Sequence, residues 1–306
     1  MDVRNVGSRL SSTTNNIFTK MDQLTDLLVN PAHSRWISPL LLAGDAVLCG
    51  LVIWKVSYTE IDWKAYMQQV SIYEAGERNY ALIKGDTGPL VYPGAHIQIY
   101  RLLYYLTDHG QDIRRAQLIF ATLYLSTLAV VFAVYRRARV PPYVLPMLVL
   151  SKRLHSIFML RCFNDCFAVA ALWGAIYLYQ RRQWYLGSVV YSTGLGVKMS
   201  LLLVLPAVGI ILFQALGRGR AITQALIMAQ VQVAFSYPFY KNIPAYLSRA
   251  FEFSRQFLYR WTVNWRFVPE DIFLSKTFSL SLLALHLALL ALFAATRWIK
   301  PTRRSL

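Results

Sequence analysis

The sequence predicts an all-α, polytopic membrane protein of about eight transmembrane helices, and three observations carry that prediction. Hydrophobic residues fill 56% of the 306 positions, against roughly 45–50% in a soluble domain. They come in blocks rather than at amphipathic spacing, and a block of ~20 apolar residues is what crosses a bilayer core. Lys and Arg outnumber Asp and Glu 32 to 15, and these basic residues punctuate the apolar blocks, the pattern membrane topology leaves. Disorder is excluded, because it needs low hydrophobicity. A nucleic-acid partner is not expected either, since binders of that kind gather their basic residues on one face or arm.

Residues 1–37 are polar, rich in Ser, Thr and Asn, and lack the apolar core of a cleavable signal peptide, so insertion is expected to begin at the first span. That span runs from about Ser38 to Tyr58 and is long enough to cross despite Asp45. Further blocks cover about 113–135, 140–158, 163–180, 184–216, 221–239 and 277–296. The 184–216 stretch is long enough for two short or broken spans, turning near Gly194 and Gly196, which brings the count to eight. Basic clusters fall at Arg136, Arg137 and Arg139, at Arg181 and Arg182, at Arg218 and Arg220, and at Arg297, Lys300, Arg303 and Arg304. Neighbouring clusters are two crossings apart, so all of them are expected in the cytoplasm together with the N-terminal segment. The organisation is then a cytosolic segment 1–37, a membrane domain 38–296 and a basic cytosolic tail 297–306. The opposite side receives two long loops, about 59–112 and 240–276, and short turns near 155–162 and 194–198.

Cys49, Cys162 and Cys166 make no disulfide framework, being odd in number, and the C-x-x-x-C spacing has no second pair or His pair to support metal or redox chemistry. They read as buried small residues. No metal and no cofactor are expected, because the acids lack the clustered ligand set a divalent ion needs. The 240–276 loop sets Lys241, Arg249, Arg255, Arg260, Arg266 and Lys276 against Glu252, Glu270 and Asp271. This excess of positive charge either binds an anion or is simply solvated.

Two segments of the first loop could carry chemistry. Glu60 and Asp62 follow the first span directly, where a carboxylate can serve as general base on a sugar hydroxyl or merely cap a short interfacial helix. Gly85 to His96 packs three glycines, two prolines, an acid and a histidine into twelve residues, which reads as neither helix nor strand. It matches neither a P-loop nor a dinucleotide fingerprint, so a rigid turn remains the alternative to a binding loop.

Four segments in order, Glu60 to Met67, Gly85 to His96, Leu154 to Cys166 and Arg255 to Phe267, resemble the dolichyl-phosphate-mannose-dependent alpha-1,3-mannosyltransferases of the endoplasmic reticulum. The resemblance covers about residues 35–296 and implies the glycosyltransferase-C architecture in a multi-pass endoplasmic reticulum membrane protein. It implies transfer of mannose from dolichyl phosphomannose to the dolichyl-diphosphate-linked oligosaccharide that carries five mannoses, on the luminal side, with membrane lipids as surroundings. Members of the family continue with further hydrophobic segments, so the chain is expected to be C-terminally truncated.

Within that resemblance Asp62 is the expected base, being shorter and stiffer and followed by Trp63, which can pack at the membrane surface and fix its position, with Glu60 in support. Asp86, Tyr92, His96, His155 and Asp165 are candidate substrate contacts. Arg161, Lys198, Arg255, Arg260 and Arg266 are the cations available to a leaving phosphate, and Trp261 and Trp265, with Tyr259 and Phe267, suit stacking on sugar rings. Each has a structural alternative. Arg161 and Asp165 stand at helical i, i+4 spacing and could pair with each other; Lys198 could snorkel; His155 could be a satisfied structural histidine; the aromatics could be an interfacial belt. The rival function is a transporter or lipid flippase, which usually shows internal repeats and midplane polar residues. No repeat is apparent, and the polar residues gather in two loops.

Overall fold

The computed structural model describes residues 19–253 and 258–298. Apart from one two-stranded hairpin, the described secondary structure is helical. Two units are described separately below, residues 1–251 and 252–306.

In the first unit, α1 (Ser34–Lys55) is the first span, preceded by a 3₁₀ turn at Pro31–His33 that Asn30 caps by accepting the Ala32 N–H. The first long loop is largely helical: α2 (Trp63–Glu74), the hairpin Lys84–Gly85 with Gly88–Pro89, and α3 (Gly94–Leu106). The Gly85 to His96 segment is therefore not wholly irregular. It pairs Lys84 with Pro89 and Gly85 with Gly88, and its last three residues open α3. Two glycines explain the packing. A Cβ on Gly85 would lie 2.6 Å from the Ala65 carbonyl oxygen, and one on Gly94 would lie 2.3 Å from that of Phe235.

The second span is α4 (Ile113–Arg137), capped at its start by Asp112 accepting the Arg115 N–H. The block at 140–158 forms a bent pair, Pro142–Val149 and Lys152–Leu160, turned by 42°. Next come α5 (Asp165–Gln180) and α6 (Trp184–Val197), then a 3₁₀ turn Met199–Val204, α7 (Leu205–Ser236) and α8 (Ile243–Ala250). α5 lies against α4 and α6, α6 against α7, and α1 against α4.

Two expectations change here, the place of the turn and the number of spans. The chain does not turn at Gly194 and Gly196 but stays helical to Val197, and the extended residue Lys198 makes the break. Both glycines serve close approach instead: a Cβ on Gly194 would lie 2.7 Å from Ala171 Cβ, and one on Gly196 would lie 2.9 Å from Ala95 Cβ. The basic cluster Arg218 and Arg220 does follow a break, because Gly217 has φ 75° and ψ 173° inside α7. The count of eight spans is not recovered, since α5 and α6 have only 16 and 14 residues. Among the described residues four helices are long and apolar enough to cross a membrane, or five when the bent pair is taken as one span.

In the second unit, a 3₁₀ turn Tyr259–Trp261 and a helical turn Glu270–Phe273 precede α9 (Lys276–Phe293), an apolar helix with no buried residue that suits a lipid environment. The cluster Lys300, Arg303 and Arg304 lies outside the described residues.

Candidate active site

The seven residues between α1 and α2 are tied to a segment a hundred positions away. The Thr59 N–H donates to the Leu160 carbonyl at 2.9 Å, and the Tyr100 hydroxyl donates to the Cys162 carbonyl at 2.9 Å. These two bonds hold the Glu60–Asp62 acids, the start of α3 and the Arg161–Asp165 turn together.

Glu60 and Asp62 have different surroundings. Glu60 Oε1 accepts the Lys64 N–H at 3.1 Å and its Oε2 accepts the Tyr58 hydroxyl at 2.8 Å, so it is Glu60 that caps α2. Asp62 occupies the N-cap position without a side-chain capping bond and is half-buried beside Trp63, which is 1% exposed. Trp63 is locked: its Nε1–H donates to the Gly110 carbonyl at 2.9 Å, and its ring packs against Tyr100 and Phe120. Its partner is the inner wall of the fold and not the membrane surface.

Behind the acids stands an aromatic box around His96. The His96 ring lies 4.9 Å from that of Tyr66, 4.6 Å from Tyr92 and 4.5 Å from Tyr100. His96 is completely buried; Nδ1 meets the Asn164 amide at 3.4 Å, while Nε2 has no partner. Burial, with the Lys198 charge adding to it, pushes its pKa down to about 3, so the ring is neutral and can donate or accept through Nε2. Asn164 Oδ1 and Arg161 Nε are likewise buried without a hydrogen-bond partner among the described residues. Three unsatisfied polar groups in one neighbourhood are unusual, because leaving such a group buried and unpaired costs ~1–3 kcal/mol each.

The cations separate into distinct roles. Lys198 Nζ lies 2.6 Å from Asp165 Oδ2. The Arg161 to Asp165 pair therefore does not form, and Lys198 does not snorkel. The reason is that Arg161 precedes α5 in a non-helical conformation, φ −130°, so helical i, i+4 geometry does not apply, while the break at Lys198 turns its side chain toward Asp165. Arg161 has no carboxylate partner among the described residues.

Asp86 is solvent-exposed and engaged: Lys64 Nζ is 2.8 Å from its carboxylate, and that contact holds Asp86 below the usual carboxylate range. Tyr92 is half-buried, its hydroxyl 3.4 Å from that of Tyr66, and its carbonyl accepts the Tyr80 hydroxyl. His155 is buried with both ring nitrogens engaged. Its Nε2 meets Asp45 Oδ1 at 2.7 Å, Nδ1 meets the Ser151 carbonyl at 3.0 Å, and Tyr124 donates to Asp45 Oδ2 at 2.7 Å. Asp45, Cys49 and His155 offer ligand atoms within 4.8 Å of one another. The direct hydrogen bond between Asp45 and His155 already satisfies both groups, so their chemistry calls for no ion. All three cysteines are free and buried, as expected of small core residues.

In the second unit Arg266 gives Nε to the Thr262 carbonyl and Nη2 to the Arg260 carbonyl, each at 3.0 Å, which folds the loop on itself. Trp265 packs against Phe267 and Phe278, and Arg260 is exposed. Arg255 lies outside the described residues, as does the side chain of Trp261.

Sequence reasoning passed over Tyr66, Tyr100 and Tyr124 as members of these clusters. Asp45 had a legible signal, since an ionisable residue inside an apolar span invites a partner. The tyrosines carried none, because aromatic residues are common in any such helix.

Comparison with known proteins finds relatives along most of the chain. A family model described as ALG3 protein matches residues 39–306. A Neurospora crassa protein named Dol-P-Man:Man(5)GlcNAc(2)-PP-Dol alpha-1,3-mannosyltransferase is 60% identical over 279 residues, covering 90% of this chain and 63% of that protein. Proteins of the same name from Mus musculus and Homo sapiens are 46% and 45% identical over 275 residues, again covering 89% of this chain and 63% of theirs. The chain thus spans less than two thirds of the length of these relatives. No solved structure matches it.

Proposed function

The chain belongs to the ALG3 protein family, and from that membership we propose that it transfers mannose from dolichyl phosphomannose to the five-mannose dolichyl-diphosphate oligosaccharide, with inversion, to form an alpha-1,3 linkage. The names its relatives carry specify this donor, acceptor and linkage, and they favour transfer over a transporter or flippase. The observation that carries the reading is the convergence of a half-buried, uncapped Asp62 with the buried unpaired groups of His96, Asn164 and Arg161.

The chemistry follows from those groups. The acceptor 3-hydroxyl attacks the anomeric carbon as the bond to the phosphate oxygen breaks, and Asp62 takes the hydroxyl proton as an oxocarbenium-like centre develops. Glu60, occupied with the α2 N-terminus and Tyr58, holds the turn and the field around Asp62. The departing phosphate needs no proton but does need its charge stabilised. Arg161 suits that task, having no carboxylate to neutralise it; Lys198, already matched by Asp165, positions the wall around His96. Arg255, Arg260 and Arg266 remain candidates for the acceptor diphosphate, and Trp261 and Trp265 for its sugars.

Membership also supports a multi-pass place in the endoplasmic reticulum membrane, with the loops around 59–112 and 240–276 on the luminal side. The deciding experiment is a transfer assay with purified dolichyl phosphomannose and the five-mannose acceptor, on this chain and on a full-length form. A six-mannose product whose new residue is released by an alpha-1,3-specific mannosidase is expected. A full-length form that binds both lipids yet makes no such product would overturn the proposal.

A further inference from the structure

The end of the first unit remote from Glu60 and Asp62 holds a cavity of about 850 Å³ whose lining includes five arginines, Arg35, Arg136, Arg137, Arg139 and Arg181, together with Tyr177. They come from three separate places: the start of α1, the end of α4 and the end of α5. α4 begins at Ile113, close to the acid-bearing loop, and Arg136 lies 23 residues further on, roughly 35 Å along the helix at 1.5 Å per residue. α1 crosses in the opposite direction and ends at Lys55, just before Glu60. The cavity therefore opens at the opposite membrane face from the candidate active site, about one hydrocarbon thickness away.

Charge at this site is not balanced from within. No acidic residue lines the cavity, and none of the five arginines forms an ion pair with a described carboxylate. Asp26 reaches the lining residue Asn30 at 3.0 Å but is held by His33 at 2.8 Å. The C-terminal ends of α4 and α5 contribute roughly half a negative charge each, which leaves most of the five positive charges uncompensated. A topological signal requires only basic residues near span ends; it does not require three chain segments to converge on one cavity.

We propose that this cavity binds a phosphomonoester headgroup, supplied by a membrane lipid of the leaflet it faces. A phosphomonoester brings up to two negative charges and three acceptor oxygens, and the guanidinium fork matches such oxygens in pairs. A zwitterionic choline headgroup has no net charge to offer, and a serine diester offers only one. Pro31, Ala32 and Ala133 also line the cavity, an apolar wall against which the upper part of a lipid can lie while its headgroup meets the arginines. The site stands apart from the transfer chemistry and does not depend on it.

The test uses the whole chain in phosphatidylcholine vesicles with or without phosphatidate, and reads retained lipid by native mass spectrometry after extraction. Phosphatidate should be retained in preference to phosphatidylcholine and phosphatidylserine. The combined variant Arg136→Lys, Arg139→Lys and Arg181→Lys keeps every charge, and hence the topological signal, while removing three guanidinium forks. It should lose about tenfold to a hundredfold in phosphatidate preference, the range for one or more charge-assisted bonds. Arg218→Lys with Arg220→Lys, basic positions outside this cavity, should change nothing. Unchanged preference in the triple variant, or an equal loss in the control, would overturn the proposal. Full competition by soluble glycerol 3-phosphate at matched concentration would overturn the lipid source.

Discussion

Replacing Asp62 by Asn removes a proton acceptor and almost nothing else. The Asp62 side chain makes no capping bond, and the α2 N-terminus is held instead by Glu60 on the Lys64 N–H at 3.1 Å. What Asn forfeits in stability is the interaction of a carboxylate with the helix end, ~0.3–1 kcal/mol. Against that, losing a general base lowers turnover by ~100-fold to 10,000-fold. The variant should therefore unfold within a few degrees of the parent protein and retain its lipid substrates, while kcat falls by at least ~100-fold. Glu60→Gln gives the complementary pattern. It weakens two hydrogen bonds, to Lys64 and Tyr58, by about 1 kcal/mol in an exposed setting, and should lower stability more and turnover less. The assay is single-turnover transfer by the full-length enzyme at saturating donor, with a thermal midpoint measured on the same sample. Near-normal transfer by Asp62→Asn beside an inactive, folded Glu60→Gln would reverse the roles. Normal transfer by both would remove the base from this turn.

Four further outcomes follow from the geometry. Lys198→Met strands Asp165, now 2.6 Å from its partner, and should impair donor use more than it lowers the thermal midpoint, because both side chains are partly exposed; an unaltered KM and kcat would refute a positioning role. Native His96 stays neutral to about pH 3, whereas in the unfolded chain it takes up a proton near 6.5, so the unfolded state binds more protons between those values. Stability should fall as pH drops below 6.5, by up to ~1.4 kcal/mol per unit, and His96→Phe should flatten that dependence; parallel pH curves for the two proteins would sink the idea. Asp45→Asn breaks the buried contact with His155 and weakens the bond from Tyr124, costing ~3–5 kcal/mol, whereas Tyr124→Phe should cost about 1 kcal/mol; denaturation of the two variants with equal loss would contradict this ranking. Gly94→Ala places a Cβ 2.3 Å from the Phe235 carbonyl oxygen and should destabilise by ~1–3 kcal/mol, which a thermal midpoint checks.

Much of this was readable from the lengths of the apolar blocks alone, and the rest failed for a physical reason. The spans α1, α4 and α9 follow directly from apolar block length, as does the break between residues 216 and 221, where Gly217 stands before Arg218. Block length could not reveal that the chain breaks at Lys198 rather than at the nearby glycines, because Gly194 and Gly196 look like turn residues but act by letting helices approach. The acids Glu60 and Asp62 were legible from their place after a span. Which of them caps α2 was not, since both are competent and only the bond to Lys64 decides. Asp165 illustrates the same limit: its partner lies 33 positions away, and sequence spacing favoured the wrong cation, Arg161, four positions away.

The Gly94 N–H donates to the Tyr246 hydroxyl at 3.0 Å across 152 positions of sequence, and this has a consequence for biogenesis. A ribosome adding roughly 5–20 residues each second needs about 8–30 s to cover that interval. Throughout it α3 is already synthesised while its anchor has yet to exist. The wall behind Asp62 is thus among the last parts of this unit to be completed, and a nascent chain arrested before residue 246 should present His96 to water and to chaperones. Pulse-labelled arrest intermediates, probed for histidine modification, would time the closure.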